Sequence, residues 1–150
     1  VDLTLEQASS YTAIAIGALN GITDNTITAV LTQDDRRSIA TEARVRVVHG
    51  SYAVARDIPV DVYLTPTADI SSADAAITNL AYGEATDQLA VPPGSYVVTV
   101  TATGDKSVVA FSSGAALALD AGTNYTVIAR DPAPQEVLAP NLIAPIILTD

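Results

Sequence analysis

The chain has 150 residues, enough for one full domain with little left over. Its net charge of −10 and single lysine, Lys106, argue against nucleic acid or an anionic membrane surface as partner, since both require a basic patch. The absence of cysteine excludes a disulfide framework, a thiolate zinc site and a cysteine nucleophile, and no apolar run is long enough for a membrane-spanning helix. The apolar mass is Val, Ile, Leu and Ala, with one Phe and neither Trp nor Met, which predicts an aliphatic core. Val, Ile, Thr and Tyr dominate the periodic segments and favour strands over helices.

The N-terminal segment repeats the C-terminal one. Residues 3–16 (LTLEQASSYTAIAI) and 117–130 (LALDAGTNYTVIAR) are near-copies that place Tyr11 on Tyr125. ITAVLTQD from Ile27 likewise matches IAPIILTD from Ile143. Self-similarity of this kind marks a modular array. The expected organisation is the closing part of a first repeat unit at 1–34, a connector at 35–42 and a complete unit at 43–150. With Val1 first and no leader-like segment, the chain reads as a processed product or a piece of a longer protein. A few apolar strands with a bare edge are marginal alone. The piece must pack on its own unit, pair with its equivalent in a second chain, or add to a neighbour's edge. The polar stretch DDRRSIATE (34–42) reads as a spacer and favours an intermolecular arrangement, with self-association through residues 1–34.

From residue 43, strand signals recur with turn residues between them. ARVRVVHG (43–50) alternates Arg44 and Arg46 against Val45 and Val47. VDVYLT (60–65) places Val60, Val62 and Leu64 on one face, Asp61 and Tyr63 on the other. Such period-2 alternation marks a half-buried strand. SSADAAIT (71–78) carries a Ser N-cap signal but is short. AAITNLAYGEATD (75–87) reads as a strand, a kink at Gly83 and a second short strand. Pro93–Gly94 suits the centre of a type II turn. Tyr96, Val98, Val100 and Ala102 then share a face, and Gly104–Asp105 closes a hairpin into KSVVAF. Two strands flank the Ala121–Gly122 turn, and DPAPQEVLAP (131–140) is a Pro-rich loop. In the last strand, 141–149, Pro145 demands an edge position or a bulge. The predicted fold is all-β, an antiparallel immunoglobulin-like β-sandwich preceded by the closing strands of a second copy. Its predicted core is Val45, Val47, Val60, Val62, Leu64, Leu80, Val98, Val100, Leu119, Val127, Ile146 and Leu148.

Five segments in fixed order, 46–49, 59–63, 79–83, 92–100 and 121–127, resemble a bacterial family, the domain of unknown function 4397. Its members read R-V-x-H-A-S-P-D-A-P-x-V-D-V-Y, then N-L-x-[FY]-G, P-x-G-x-Y-x-V-x-V and A-G-x-x-Y-T-V. The resemblance covers 43–150, and 1–34 resembles the end of a preceding copy. After His49 the family's Ser-Pro-Asp-Ala-Pro is replaced by the longer GSYAVARDIP, which carries Tyr52 and Arg56. The resemblance implies a secreted, cell-surface or envelope β-sandwich, often in tandem, and it implies no reaction.

His49 is the only histidine, and with Ser51, Asp57 and Asp61 it permits a Ser/His/Asp set on paper. No Gly-x-Ser-x-Gly elbow supports that set, and a structural histidine at a strand end is the plainer reading. No catalytic residue and no cofactor are assigned. Asp57, Asp61, Asp69 and Asp74 are the calcium candidates, although their spacing lacks the D-x-D-x-D-G order and ordinary surface carboxylates explain them. Asp2, Glu6, Asp34 and Asp35 invite the same reading with less force. Tyr52 and Arg56, in the divergent loop, are the candidates for ligand contact, since an aromatic face with a polar tip suits a glycan. Tyr11 and Tyr125 occupy equivalent positions and suit a tyrosine corner. Asn124-Tyr-Thr126 matches a glycosylation acceptor but opens a strand that reads as buried. The sequence therefore points to a non-enzymatic extracellular structural module of a bacterial surface repeat protein, adhesin or filament. A carbohydrate- or small-ligand-binding sandwich is the alternative, and an enzyme comes third.

Overall fold

The alternating segments become strands. A computed structural model of the chain describes residues 5–17, 27–35, 37–52, 57–133 and 141–149. Its strands are β1 (Ser10–Ile16), β2 (Thr28–Asp34), β3 (Ala43–His49), β4 (Val60–Thr65), β5 (Ile77–Leu80) and β6 (Leu89–Val91), followed by β7 (Gly94–Ala102), β8 (Asp105–Ser112), β9 (Leu117–Leu119), β10 (Asn124–Arg130) and β11 (Ala144–Thr149). One sheet has the order β11-β10-β3-β6, the other β5-β4-β7-β8 with β9 continuing the edge along β7. They face each other across an aliphatic core and do not close into a barrel, so the fold is the expected β-sandwich. One pairing departs from antiparallel: β3 and β10 run parallel, Val45 opposite Tyr125 and Val47 opposite Val127. Periodicity reports which face a residue takes and says nothing about strand direction.

Val45 and Val47 from β3, Val60 and Val62 from β4, Leu80 and Val100 are all buried in this core. Leu64, Val98, Leu119 and Val127 pack against it half-buried. Ile146 and Leu148 are corrections, at 39% and 46% exposed. Ile143, which precedes β11, is buried instead, and Pro145 and Ile147 face inward. Residues 146–148 are apolar at every position, so the sequence carries no alternation to fix the register, and a one-residue slip exchanges the faces. β11 is an edge strand, as Pro145 requires. Gly94 is a second correction. It opens β7 without entering the left-handed region, so no type II turn is centred there. Gly104 and Gly122 do take positive φ, 77° each, at the two other predicted turns. Residues 71–76 form turns without a helix.

The outer faces of both sheets are also covered. On the β4–β7 side, Thr99 and Thr101 are 3% and 0% exposed. The 66–76 segment is tied down by Lys106, whose Nζ donates to the carbonyls of Ser71 (3.0 Å) and Ala73 (2.8 Å) and sits 5.5 Å above the Tyr63 ring. Over β3 and β10 lies the β1–β2 hairpin. Ile14, Ile16 and Val30 pack there against Val48, Ile128, Tyr82 and Ala85. This is the first of the three arrangements left open by the sequence: the N-terminal piece packs on its own unit. The connector is correspondingly no loose spacer. Arg44 pairs with Asp35 at 2.7 Å, Asn124 Nδ2 donates to the Asp35 carbonyl at 3.3 Å, and Gly122 N–H donates to Glu42 O at 2.9 Å.

The hairpin reproduces β10–β11 residue for residue. Tyr11 lies opposite Gln33 and Ile16 opposite Thr28. Their counterparts Tyr125 and Arg130 lie opposite Thr149 and Ala144. Both tyrosines make the same bond. The Tyr11 hydroxyl accepts the Glu6 N–H at 2.9 Å, and the Tyr125 hydroxyl accepts the Asp120 N–H at 3.0 Å. Each clamps the turn that leads into its strand. Tyr125 is only 7% exposed, whereas the Tyr11 bond is at the surface. Replacing Tyr125 by Phe leaves a part-buried N–H without its acceptor and is expected to cost about 1–2 kcal/mol in urea unfolding, whereas Tyr11→Phe costs less than about 1 kcal/mol. Equal losses would show that the two turns do not differ in burial as described.

Candidate functional site

Three places gather chemically distinctive residues. The first is the contact between the hairpin and the sheet beneath it. Arg46 lies on the outer face of β3 and is 5% exposed. A buried guanidinium must find acceptors for its donors and a counter-charge. Arg46 Nη1 donates to Thr32 Oγ1 at 2.9 Å and to Asp34 Oδ1 at 3.0 Å, and Nη2 donates to the Gln33 carbonyl. Every one of these partners is on β2. Beside it, the Arg44 hydrogen bond holds the Asp35 carboxyl below its usual range, with the Arg37 backbone N–H adding to the effect. At the far end of β3 the backbone itself makes room. A Cβ on Gly50 would stand 2.9 Å from Ile16 Cγ2 and 3.2 Å from the Ala129 carbonyl oxygen, so the hairpin approaches there only because residue 50 is glycine.

The second place is the end of β3 and the turn beyond. His49 is fully buried. Its backbone N–H donates to Glu84 O at 3.0 Å and its carbonyl accepts from Gly83 N–H at 2.8 Å, which fixes the Gly83 kink, φ 83°, against the strand. Its ring meets Tyr82 edge-on at 6.1 Å, and Tyr82 meets Tyr52 edge-on at 5.8 Å. Ser51, also fully buried, donates its hydroxyl to Asp131 Oδ1 at 2.6 Å, and Tyr52 N–H donates to Asp131 Oδ2 at 3.2 Å. Asp131 is the partner that sequence reasoning missed, because it lies 80 positions away and only the parallel β3–β10 pairing brings it alongside. Tyr52 is half-buried and meets Tyr82 edge-on. Arg56 and Asp2 lie outside the described residues.

Asp61 serves neither of the sets written for it. It sits on the outer face of β4, 5% exposed. Its Oδ1 accepts the Asn79 N–H at 2.9 Å and the Thr103 hydroxyl at 3.0 Å, and its Oδ2 accepts the Gly104 N–H at 3.0 Å. It thus pins the end of β5, where Asn79 takes φ 54°, to the β7–β8 turn. Asp69 caps its own turn through Ser71 N–H at 2.9 Å, and Asp74 is exposed. Among the described residues no three His, Cys, Asp or Glu side chains converge as a metal would require. Asn124 of the glycosylation-like triplet is 5% exposed, too buried to accept a glycan.

The third place is the core itself. Between the sheets lies a cavity of about 180 Å³, walled almost wholly by hydrocarbon. Val47 and Val127 line it from one sheet, Val62 and Val100 from the other, and Pro145 and Ile147 from the β11 edge. Protein interiors normally pack without such voids. An empty space of this size costs about 4 kcal/mol at roughly 24 cal/mol per Å³. Nothing in the linear sequence signals it, since the individual side chains are ordinary and only their sum falls short.

The profile of the family described as Domain of unknown function (DUF4397) matches residues 52–145. The chain belongs to this family, as its five ordered segments lead one to expect. No curated protein matches it.

The Asp61 knot yields a pH dependence. Burial raises the carboxyl's pKa, but the Gly104, Asn79 and Thr103 hydrogen bonds together outweigh it and hold the group below its ordinary value. A carboxyl depressed in the folded state contributes stability that is complete above its unfolded pKa, about 4, and is lost as pH falls through the folded value. Asp61→Asn should therefore lower stability at pH 7 by about 1–3 kcal/mol and shrink the further loss between pH 5 and pH 2. An acid limb as steep as that of the wild type would mean that other carboxylates carry it.

Proposed function

We propose that this member of the DUF4397 family is a non-enzymatic structural module of a bacterial surface or secreted protein, built to stack in series with units like itself. One observation carries the reading: β1–β2 has the register and tyrosine bond of β10–β11, and it is docked on the next unit through a dedicated contact. The hairpin is the closing part of one unit, and β3 is the first strand of the following one. The outward faces of two successive closing hairpins meet, with Ile14 and its counterpart Ile128 in the same apolar cluster. Neighbours joined in this way form a quasi-linear array, in which each unit contacts only the next. The contact lies within a chain, so the array needs no self-association through residues 1–34. An acidic, lysine-poor, cysteine-free composition accords with an exported protein.

The non-enzymatic reading is supported by where the hydroxyl and imidazole lie. Ser51 gives its proton to Asp131 from a fully buried position, which suits a structural bond and not a nucleophile awaiting substrate. A fluorophosphonate probe is expected to leave Ser51 unlabelled. Labelling that disappears in His49→Gln would overturn the assignment. Ligand binding remains the second reading. The cavity favours an apolar ligand over a glycan, since its lining is almost wholly hydrocarbon and Tyr52 of the divergent loop is half-buried against Tyr82.

The array contact is tested by Arg46→Ala and Gly50→Val in the 150-residue chain. Each should expose the amides of 10–16 and 28–34 to hydrogen exchange while 60–65 and 97–102 stay protected. Arg46→Ala also strands Asp34 and should cost about 2–4 kcal/mol. Sedimentation should give a compact 15.4 kDa monomer at micromolar concentration. A hairpin already unprotected in the wild type, or a dimer needed to protect it, would sink the serial-array reading.

A further inference from the structure

We propose that the intersheet cavity is a binding site for the end of an unbranched alkyl chain, such as the acyl chain of a neutral amphiphile. This goes beyond the structural reading and does not depend on it. The volume, about 180 Å³, exceeds the roughly 150 Å³ at which an engineered apolar cavity takes up benzene, so it holds six or more carbon atoms. The walls offer water almost no partners, so the space stays dry and its natural guest is a hydrocarbon. The walls are chiefly Val, Leu and Ile, with Phe111, Tyr96, Tyr125 and the buried His49.

The way in lies along β11. At the start of that side the sheets are joined, Leu142 N–H donating to Ala110 O of β8 at 2.7 Å; beyond it, among the described residues, β11 pairs with β10 and β9 with β7, and no ladder links β11 to β9. Between β11 and β9 the described residues that line the gap are Pro145 and Ile147 from one edge and Leu117 and Leu119 from the other. Ile147 both lines the cavity and is 44% exposed, so one side chain separates guest from solvent. Pro145 has no N–H to add a strand there. Ile146 and Leu148, 39% and 46% exposed, extend the apolar surface outside this entrance. A chain threading between the edges therefore meets a mainly hydrocarbon surface, while its polar head stays in water. The chain's net charge of −10 disfavours an anionic head, which selects neutral amphiphiles over fatty-acid anions.

The proposal is tested by calorimetric titration of the 150-residue protein with 1-octanol, with decanoate and with phosphatidylcholine vesicles. Saturable 1:1 binding of octanol, a raised melting temperature and at least threefold weaker binding of decanoate are expected. Vesicle binding as well would identify lipid chains as a source; octanol binding alone would identify a free amphiphile. Ala129→Leu, which fills the cavity from β10, should weaken octanol at least tenfold. Val47→Ile, a single added methylene, should weaken it about threefold and still fold. Val108→Ala, outside the cavity, should change nothing. No saturable binding of octanol, or affinity unaltered in both filling variants, would overturn the site.

Discussion

Strand β3 is covered on both faces, and the rest of the molecule is arranged around that fact. Val45 and Val47 point into the sandwich, while Arg46 and Val48 point into a second contact with the β1–β2 hairpin. All seven of its residues except Arg44 are buried. A central strand with both faces covered usually reads as a continuous apolar run. Here one outward position is a guanidinium. Its charge is made tolerable by Asp34, Thr32 and a backbone carbonyl on a strand that, among the described residues, pairs with β1 alone. A buried ion pair of this sort adds little net stability over a hydrocarbon pair. It does fix one docking geometry, because a shifted hairpin would leave the guanidinium without acceptors. The apolar contacts of Ile14, Ile16 and Val30 supply attraction, and Arg46 supplies register.

That division explains what could and could not be read from the sequence. Period-2 alternation located the strands, and the repeat located the tyrosine bonds, because both are local properties. ARVRVVH looks like a half-buried strand with its arginines in water, since nothing local distinguishes a solvated arginine from one capped by a neighbouring hairpin. The near-copy of the closing hairpin at the N-terminus was the available hint: an apolar hairpin needs a surface, and β3 with β10 is the nearest one. Ser51 and Asp131 were separable only by tertiary structure, because their contact depends on a parallel pairing that strand periodicity does not encode. The Ile146–Leu148 run failed for the opposite reason. It is apolar on both faces, so either register satisfies it until Ile143 and Pro145 are anchored. The 141–143 segment provides that anchor through Leu142 N–H to Ala110 O at 2.7 Å and Asn141 Oδ1 accepting Ser112 N–H at 3.0 Å.

The same bracing bears on the cavity. Two sheets that meet across a void have lost part of the dispersion contact that ordinarily holds a sandwich together. Each sheet must then keep its shape by other means, and each has them on its outer face. The β3–β10 sheet is backed by the hairpin. The β4–β7 sheet is backed by the 66–76 segment under Lys106 and by the Asp61 knot, which joins β4, β5 and the β7–β8 turn through three hydrogen bonds. Rigidity supplied from outside lets the interior remain underpacked without collapsing.

An underpacked interior that persists is a preformed site, and preformed sites bind without spending free energy on rearrangement. The proposed alkyl-chain site and the hairpin contact share one strand. Val47 lines the cavity and Arg46, its neighbour in sequence, holds the β1–β2 hairpin. An occupant of the cavity would contact β3 on one face, and the hairpin contacts it on the other. Because thermodynamic linkage is reciprocal, whatever one occupant does to the position of β3 the other must feel. If both proposals hold, breaking the hairpin contact by Arg46→Ala should change the affinity for octanol, and an unchanged affinity would show that the two faces of β3 are not coupled.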